Sequence, residues 1–275
     1  MKLALLQMTS GIDPAGNAAD LTKAIEATAA GGAAMLFTPE MSGLIDRDRV
    51  RAAASIVGED ADPVLAAVRA AAARAGIWVH LGSLAIRRDD GRYANRGFVI
   101  DPDGAIRARY DKIHLFDVDL ASGESWRESA SYAGGEAAVM AATPLGSLGL
   151  SICYDLRFPA LYQALSAAGA ELLAVPAAFT RPTGEAHWHC LLRARAIENG
   201  CFVIAAAQAG VHEDGRATYG HSLVVDPWGT VLLDMAEAAG LGFVDIDPTM
   251  AATVRARIPV IAHRRPIAPV EGGGS

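Results

Sequence analysis

The chain alternates short apolar runs with alanine-rich segments in which apolar residues recur at helical spacing. The runs have strand length and are rich in Val, Ile, Leu and Phe, so they favour strands. The candidate strands are KLALLQM, AAMLFTP, IWVHLGSLAI, GFVIDPDG, LGLSICY, ELLAVPAAF, CFVIAAAQ, HSLVVDPWG and LGFVDID. The candidate helices cover residues 14–30, 61–75, 158–168, 185–199 and 248–257. Alternation of this kind predicts an α/β fold.

Two segments, VIDPDGAIRARY and VVDPWGTVLLDM, share the order strand, Asp-Pro-x-Gly turn, strand. Proline at the second turn position and glycine at the fourth suit a type I turn, so both segments are predicted hairpins. Hairpins among βα units imply mixed sheets. Because no linker or repeat divides the chain, we expect one domain over residues 1–270 and a disordered tail, EGGGS, at 271–275.

Composition excludes several classes of protein. No apolar run approaches the roughly 18 residues of a membrane span, and the N-terminal run is too short for a signal peptide. A net charge of −7 without a basic block argues against nucleic acid as a partner. Three cysteines without a CxxC pair predict free thiols in a reducing cytoplasm. Phosphate-binding glycine loops and HExxH-like pairs are also missing, so we expect neither a cofactor nor a metal.

Cys153 lies where an apolar strand meets a polar turn and the start of a predicted helix, in SICYDLRFP. One interpretation is a buried small hydrophobic residue, which is also our interpretation of Cys190 and Cys201. The other is a nucleophile, because free N–H groups at a helix N-terminus favour a thiolate. The backbone N–H of Tyr154 would then be the nearest donor to a developing oxyanion.

Two more charged residues follow apolar strands. Glu40 ends the run AAMLFTPE, and Lys112 lies in RYDKIHLFD, one of only three lysines among 24 basic residues. Taken alone, each could be a solvated surface residue. A cysteine nucleophile needs a base, however, and no histidine has a comparable position, which leaves Glu40 as the candidate.

The motifs FTPE, YDKIHLFD and SICYDLRFP, in this order, resemble the nitrilase superfamily of carbon–nitrogen hydrolases, and the likeness covers nearly the whole chain. The resemblance implies a Glu–Lys–Cys triad at Glu40, Lys112 and Cys153 and a second glutamate in the following loop. Glu128 fits that position best, with Glu124 and Glu136 as rivals. It also implies a four-layer α-β-β-α sandwich and a homodimer formed through helices near the nucleophile.

The implied reaction is hydrolysis of a small amide through a thioester on the cysteine. The later motifs are most similar to the branch that contains deaminated glutathione amidase, with omega-amidase as the alternative, then nitrilase, and lastly a scaffold without activity. The segment FTRPTGEAHWH is predicted to be a pocket loop. There Arg181 could bind a carboxylate or be solvated, and Thr183 and His187 could donate hydrogen bonds. Arg157 either contacts substrate or forms an ion pair with Asp155, and His189 stands where many relatives have glutamate.

Overall fold

The computed structural model describes residues 1–119, 123 and 125–268. It contains two six-stranded sheets and two small hairpins. The first sheet has the spatial order β16 (Gly240–Asp245), β1 (Lys2–Gln7), β2 (Met35–Phe37), β3 (Trp78–Arg87), β4 (Tyr93–Ile100) and β5 (Ile106–Asp111). The second has the order β15 (Val231–Asp234), β14 (Leu223–Val225), β11 (Phe202–Ala205), β10 (Leu172–Ala174), β9 (Gly146–Leu150) and β8 (Met140–Thr143). The hairpins pair β6 (Asp117–Asp119) with β7 (Ser125–Arg127) and β12 (Ala209–Val211) with β13 (Ala217–Tyr219).

Both large sheets are mixed, as predicted. The central strands β1–β2–β3 and β9–β10–β11 run parallel, and the flanking strands pair antiparallel. The two Asp-Pro-x-Gly segments form the β4–β5 and β14–β15 hairpins. In each turn the aspartate, Asp101 or Asp226, accepts two backbone N–H groups at 2.8–3.0 Å, which fixes the turn.

Helices cover the outer faces of the two sheets, except for a short one at Arg49–Ser55, which packs beside Leu44 and Ala85. They are α1 (Pro14–Ala30), α2 (Arg49–Ser55), α3 (Pro63–Ala75), α4 (Pro159–Ala167), α5 (Arg181–Asn199) and α6 (Met250–Arg257). Side chains on β1 alternate: Leu3 and Leu5 join the core shared with the second sheet, whereas Ala4 and Leu6 pack with α1 and α3. The inner core continues into α4 and α5. The predicted four-layer α-β-β-α sandwich is therefore confirmed.

Helix α5 begins four residues before its predicted start. The segment FTRPTGEAHWH was predicted to be a loop, but from Arg181 onward it is helical. A proline in the first turn is compatible with a helix, because the N–H it lacks would have no partner there. Pro182 therefore permits the extra turn. Helix α2, which is short and capped by Asp48, was not predicted.

No helix within the described ranges is both long and apolar enough to cross a membrane. The predicted tail at 271–275 lies outside the described residues. A single domain over residues 1–270 stays a prediction.

The loop after β2 is packed closely against β3. A Cβ atom on Gly82 would lie 2.1 Å from the Thr38 carbonyl oxygen and 2.4 Å from that of Pro39. The Gly82 N–H also donates to Thr38 Oγ1 at 3.0 Å. Only glycine permits this approach, and the approach determines where the chain places Glu40.

We expect Gly82→Ala to lower the free energy of unfolding by about 2 kcal/mol, because a methyl group must force two backbone segments apart. Denaturant titration measures the change. Gly240→Ala is the matched control, since no atom lies within 4 Å of its Cβ position. Equal unfolding midpoints for the two variants would contradict this account of the loop.

Candidate active site

Three strand ends deliver Glu40, Lys112 and Cys153 to one cavity. Glu40 follows β2, Lys112 directly follows β5, and Cys153 follows β9. The three side chains line a cavity of about 560 Å³ and are almost completely buried, with residue exposures of 4%, 2% and 8%. The structure thus brings together the three residues predicted from their strand-end positions.

The Glu40 carboxylate has a partner on each oxygen. Its Oε1 accepts hydrogen bonds from Lys112 Nζ and Asn95 Nδ2, both at 2.9 Å. Its Oε2 accepts the Ala178 N–H at 3.0 Å, and Gln208 holds the backbone carbonyl of Glu40 at 2.9 Å. The carboxylate is therefore fixed in place beside the thiol.

Of the two candidates for the second glutamate that lie in the described residues, Glu128 is the one in contact with Lys112. Lys112 Nζ donates to Glu128 at 2.9 and 3.2 Å, and the Phe116 N–H donates to Glu128 Oε2 at 2.7 Å. Glu136 is exposed and outside the cavity lining, and Glu124 lies outside the described residues.

Asn95, on β4, was missed in the sequence. Its Nδ2 donates to both Glu40 and Glu128, at 2.9 and 3.2 Å. The strand YANRGFVI carries no local sign of this role, because the role depends on the pairing of β4 with β5. In that pairing the Lys112 N–H donates to the Asn95 carbonyl at 2.9 Å.

The electrostatics of the thiol differ from the sequence prediction. Burial raises the pKa of Cys153 well above its usual range, and the Glu40 charge adds to this, while Lys112 opposes it. Burial by itself would lower the pKa of Lys112, but the charges of Glu128 and Glu40 raise it well above its usual range. These two directions favour a thiol beside an ammonium ion. The N–H groups at the start of the helical turn were expected to favour a thiolate, but burial and the Glu40 charge have the larger effect on the thiol pKa.

The backbone turns sharply at the thiol. Cys153 has a φ of 49°, which is rare for a residue other than glycine, and it opens a 3₁₀ turn over Cys153–Arg157. The Cys153 N–H donates to the Pro176 carbonyl at 2.9 Å. Within the described part of the chain the Tyr154 N–H has no hydrogen-bond partner, as expected near the start of a helical turn.

Asp155 connects the cysteine turn to the lysine loop. This fully buried carboxylate accepts the Tyr110 hydroxyl at 2.7 Å, the Ile152 N–H at 2.9 Å and both the N–H and the ring of His114. The predicted Asp155–Arg157 ion pair is therefore wrong, since those groups satisfy the carboxylate. Arg157 instead lies over the rings of Tyr154 and Phe179 at 6.0 and 5.4 Å.

The four predicted substrate contacts separate into two groups. Thr183 and Arg157 line the cavity. Arg181 and His187 do not: Arg181 pairs with Glu237 at 2.8 Å on the surface, and His187 contacts Arg157 at 3.2 Å. The structure therefore does not support the substrate role predicted for Arg181, because the helical start of α5 turns it away. Cys190 is exposed, contrary to its predicted burial, whereas Cys201 is buried.

His189 faces away from the cavity and belongs to a group with His221 and Asp234. Asp234 contacts His189 Nε2 at 3.0 Å and His221 Nδ1 at 2.9 Å. Their ligand atoms lie within 4.8 Å of one another, and this is the one group in residues 1–119, 123 and 125–268 that could hold a metal ion. It was not foreseen because the three residues are far apart in sequence.

The comparisons with known proteins agree over nearly the whole chain. The sequence model of the carbon–nitrogen hydrolase family matches residues 2–256. The deaminated glutathione amidase of Yersinia enterocolitica is 41% identical over 96% of this chain and 92% of its own. The crystal structure of the Caenorhabditis elegans NitFhit protein has a TM-score of 0.89 and 40% identity, over 96% of this chain and 65% of that one. A variant of the Nesterenkonia sp. AN1 amidase, with the acetamide moiety of fluoroacetamide on its active-site cysteine, has a TM-score of 0.82 and 28% identity, over 96% and 94%.

We expect Glu40→Gln to speed alkylation of Cys153 near neutral pH. The Glu40 charge helps to raise the thiol pKa, so removing it lowers the pKa and increases the thiolate fraction at a given pH. The measurement is the pH dependence of iodoacetamide labelling by mass spectrometry, in a Cys190→Ser background that removes the exposed thiol. Slower labelling of the Gln variant across the pH range would contradict the electrostatic account.

Proposed function

The chain belongs to the carbon–nitrogen hydrolase family and is an amidase of that family, and we propose that Cys153 is its nucleophile, with Glu40, Lys112 and Glu128 completing the catalytic group. The observation that carries the proposal is the contact of one buried ammonium with two carboxylates beside a buried thiol. The Nesterenkonia amidase variant, whose active-site cysteine carries the acetamide moiety covalently, supports the proposal for Cys153.

In the acylation step, Glu40 accepts the Cys153 proton while the sulfur attacks the amide carbon. A protonated thiol suits this role of Glu40, because proton transfer and attack are then coupled. As the tetrahedral intermediate collapses, Glu40 donates that proton to the leaving nitrogen, and an amine or ammonia departs.

Deacylation uses the same carboxylate. Glu40 removes a proton from water, and the hydroxyl oxygen attacks the thioester carbon. The carbon–sulfur bond breaks, the proton returns to the Cys153 sulfur, and a carboxylic acid leaves. One glutamate therefore acts as base, acid and base again, which explains why both its oxygens are held in fixed positions.

Two donors would stabilise the oxyanion of each tetrahedral intermediate. One is the ammonium of Lys112, which remains charged because its pKa is raised by the two glutamates. The other is the N–H of Tyr154, whose lack of a partner leaves it available. Glu128 would position Lys112 and would not transfer a proton.

The proposed substrate is an amide that also carries a carboxylate, with deaminated glutathione first and alpha-ketoglutaramate second. The similarity of the chain to deaminated glutathione amidases such as the Yersinia protein supports this ranking. A cavity of about 560 Å³ also has room for a substrate that extends well beyond the scissile bond.

We further propose that the enzyme is a homodimer and works in a reducing compartment such as the cytoplasm. Support for the dimer comes from large apolar side chains exposed beside α5: Ile197 is 50% exposed and Trp228 is 56% exposed. They are neighbours, since Ile197 packs on Gly229. Three free cysteines support the reducing compartment.

We expect Cys153→Ala to abolish amide hydrolysis and Cys190→Ala to retain it. Lys112→Arg should lower kcat by about 100-fold, comparable to the loss of one oxyanion donor, because a planar guanidinium cannot occupy the space of an ammonium. Glu128→Gln should lower kcat less than Glu40→Gln does. Steady-state kinetics on one amide measure all of these variants. Near-normal turnover by Cys153→Ala would refute the proposed mechanism.

Deaminated glutathione should have a higher kcat/KM than alpha-ketoglutaramate, since the longer substrate gains from contacts remote from the reacting carbon. Both compounds should be measured side by side, with simple aliphatic nitriles in the same panel. A tenfold advantage for alpha-ketoglutaramate would favour the omega-amidase alternative. Hydrolysis of nitriles alone would overturn both proposals.

Light scattering of the pure protein should give twice the mass of the 28.6 kDa chain. The double variant Ile197→Glu with Trp228→Glu should give the mass of one chain, because it introduces charge into the proposed apolar contact. Val50→Glu is the control at an exposed apolar residue elsewhere. A monomeric wild-type protein would contradict the proposed dimer.

A further inference from the structure

A second charged group lines the same cavity, and the catalytic proposal does not use it. Two guanidinium groups, of Arg216 and Arg47, lie over the indole ring of Trp126, at 4.6 and 6.0 Å from its centroid. All three residues belong to the cavity lining, as does Tyr132. Arg216 comes from the β12–β13 hairpin, Trp126 from β7 and Arg47 from the segment before α2.

Two buried hydrogen-bond donors in this group have no partner. They are Nε of Arg216 and Nε1 of Trp126, and neither donates to any atom of the described residues. A buried donor without a partner costs free energy, so such groups are rare in native proteins and need an explanation. Both belong to residues that line the space a substrate would occupy, but the two nitrogen atoms have no accessible surface of their own, so an acceptor on the substrate reaches them only after a side-chain rotation.

The charge of the group is only partly neutralised. The carboxylate of Asp214, whose side chain is fully buried, lies 3.5 Å from Arg216 Nη2 and 4.0 Å from Arg47 Nε. Two positive charges therefore share one negative charge, and Asp214 itself is not part of the cavity lining. The nearby Asp46 is already engaged in two hydrogen bonds with Arg51, at 2.6 and 2.8 Å. Burial lowers the pKa of Arg216, which is the sign of a cation with too little compensation.

The backbone beneath Arg216 is held in place before any ligand arrives. The Arg216 N–H donates to Asp214 Oδ1 at 2.9 Å, and the Arg216 carbonyl accepts the His212 N–H at 2.7 Å. The buried ring of His212 contacts the Ser10 carbonyl and the Thr218 hydroxyl at 2.9 and 2.8 Å. The backbone that carries the guanidinium is therefore preorganised, which reduces the entropy cost of binding.

We infer that Arg216, Trp126 and Arg47 form a carboxylate-binding subsite, which selects amides that carry a carboxylate away from the scissile bond. The inference rests on the proposed amidase function and deepens it. A rotation of the Arg216 and Trp126 side chains would bring their unpartnered donors to the carboxylate, and Arg47, whose side chain is 50% exposed, contributes charge from the more exposed side. A carboxylate supplies both the acceptors and the missing negative charge, whereas a neutral group supplies the acceptors alone.

The test compares anionic amides with neutral partners that have the same scissile bond. One pair carries the carboxylate on the acyl part, as a dicarboxylic acid monoamide and its methyl ester. The other carries it on the leaving amine, as an N-acyl amino acid and its methyl ester. The wild-type enzyme should prefer the anionic member of at least one pair by about 100-fold in kcat/KM, the value of a hydrogen-bonded charge contact. The pair that shows the preference identifies which end of the substrate binds the subsite.

Arg216→Met should reduce that preference to less than about fivefold, mainly through a higher KM for the anionic amide. Trp126→Phe keeps the ring and removes only the indole N–H, so it should lose part of the preference. Arg181→Met removes an arginine that pairs with Glu237 outside the cavity, and the full preference should remain. An unchanged preference in Arg216→Met, or equal losses for anionic and neutral amides, would overturn the subsite.

A binding measurement keeps the inference testable if Arg216→Met is poorly folded. Calorimetry with Cys153→Ala should detect the anionic amide and not its ester, and Trp126→Phe in that background should weaken binding of the anion alone. Equal binding of both compounds would refute the subsite. If wild-type enzyme hydrolyses neither member of either pair, the proposed function fails; if it hydrolyses both members equally, only the subsite fails.

Discussion

The buried ammonium of Lys112, held between the carboxylates of Glu40 and Glu128, is the interaction on which the active site depends. Burying three charges is expensive, and the cost is offset only if each has good hydrogen-bond geometry. The surrounding elements meet that requirement. Asn95 donates hydrogen bonds to both carboxylates, the Ala178 N–H donates to Glu40, and the Phe116 N–H donates to Glu128. Removing Lys112 would leave two carboxylates without a counter-charge, whereas removing one carboxylate would leave a single ion pair, so both glutamates depend on the lysine.

The same interaction affects the pKa of the Cys153 thiol. A lone lysine beside a cysteine would favour the thiolate, but here two glutamates accompany the lysine, and the net charge of the three groups is negative. Together with burial this favours a protonated thiol. A resting thiol reacts slowly with oxidants and other electrophiles, because the thiolate is the reactive form. The raised pKa of the thiol and the base catalysis proposed for Glu40 thus have one electrostatic cause.

Sequence patterns located the proposed catalytic residues because strand ends are local features. Glu40, Lys112 and Cys153 each follow an apolar run, and the resemblance of their motifs to a known family then related them to one another. Asn95 and Arg216 could not be found in this way, since nothing in their neighbours distinguishes them from ordinary strand and turn residues. The ion pair expected between Asp155 and Arg157 was wrong for the same reason. The Asp155 carboxylate instead contacts Tyr110, on β5, and His114, in the segment after β5.

The two parts of the cavity differ in how the chain builds them. The groups of the proposed catalytic triad, on Glu40, Lys112 and Cys153, follow strands of the two large sheets. The residues of the proposed subsite come from the connections and small hairpins around them: Arg47, Trp126 and Arg216. Connections tolerate sequence change better than core strands, so a subsite built there can change its ligand while the chemistry stays the same. Trp126 is the residue of the proposed subsite that lies nearest in sequence to the proposed catalytic group. It comes two residues before Glu128, so one short segment of the chain carries both a residue of the proposed subsite and a carboxylate that contacts Lys112.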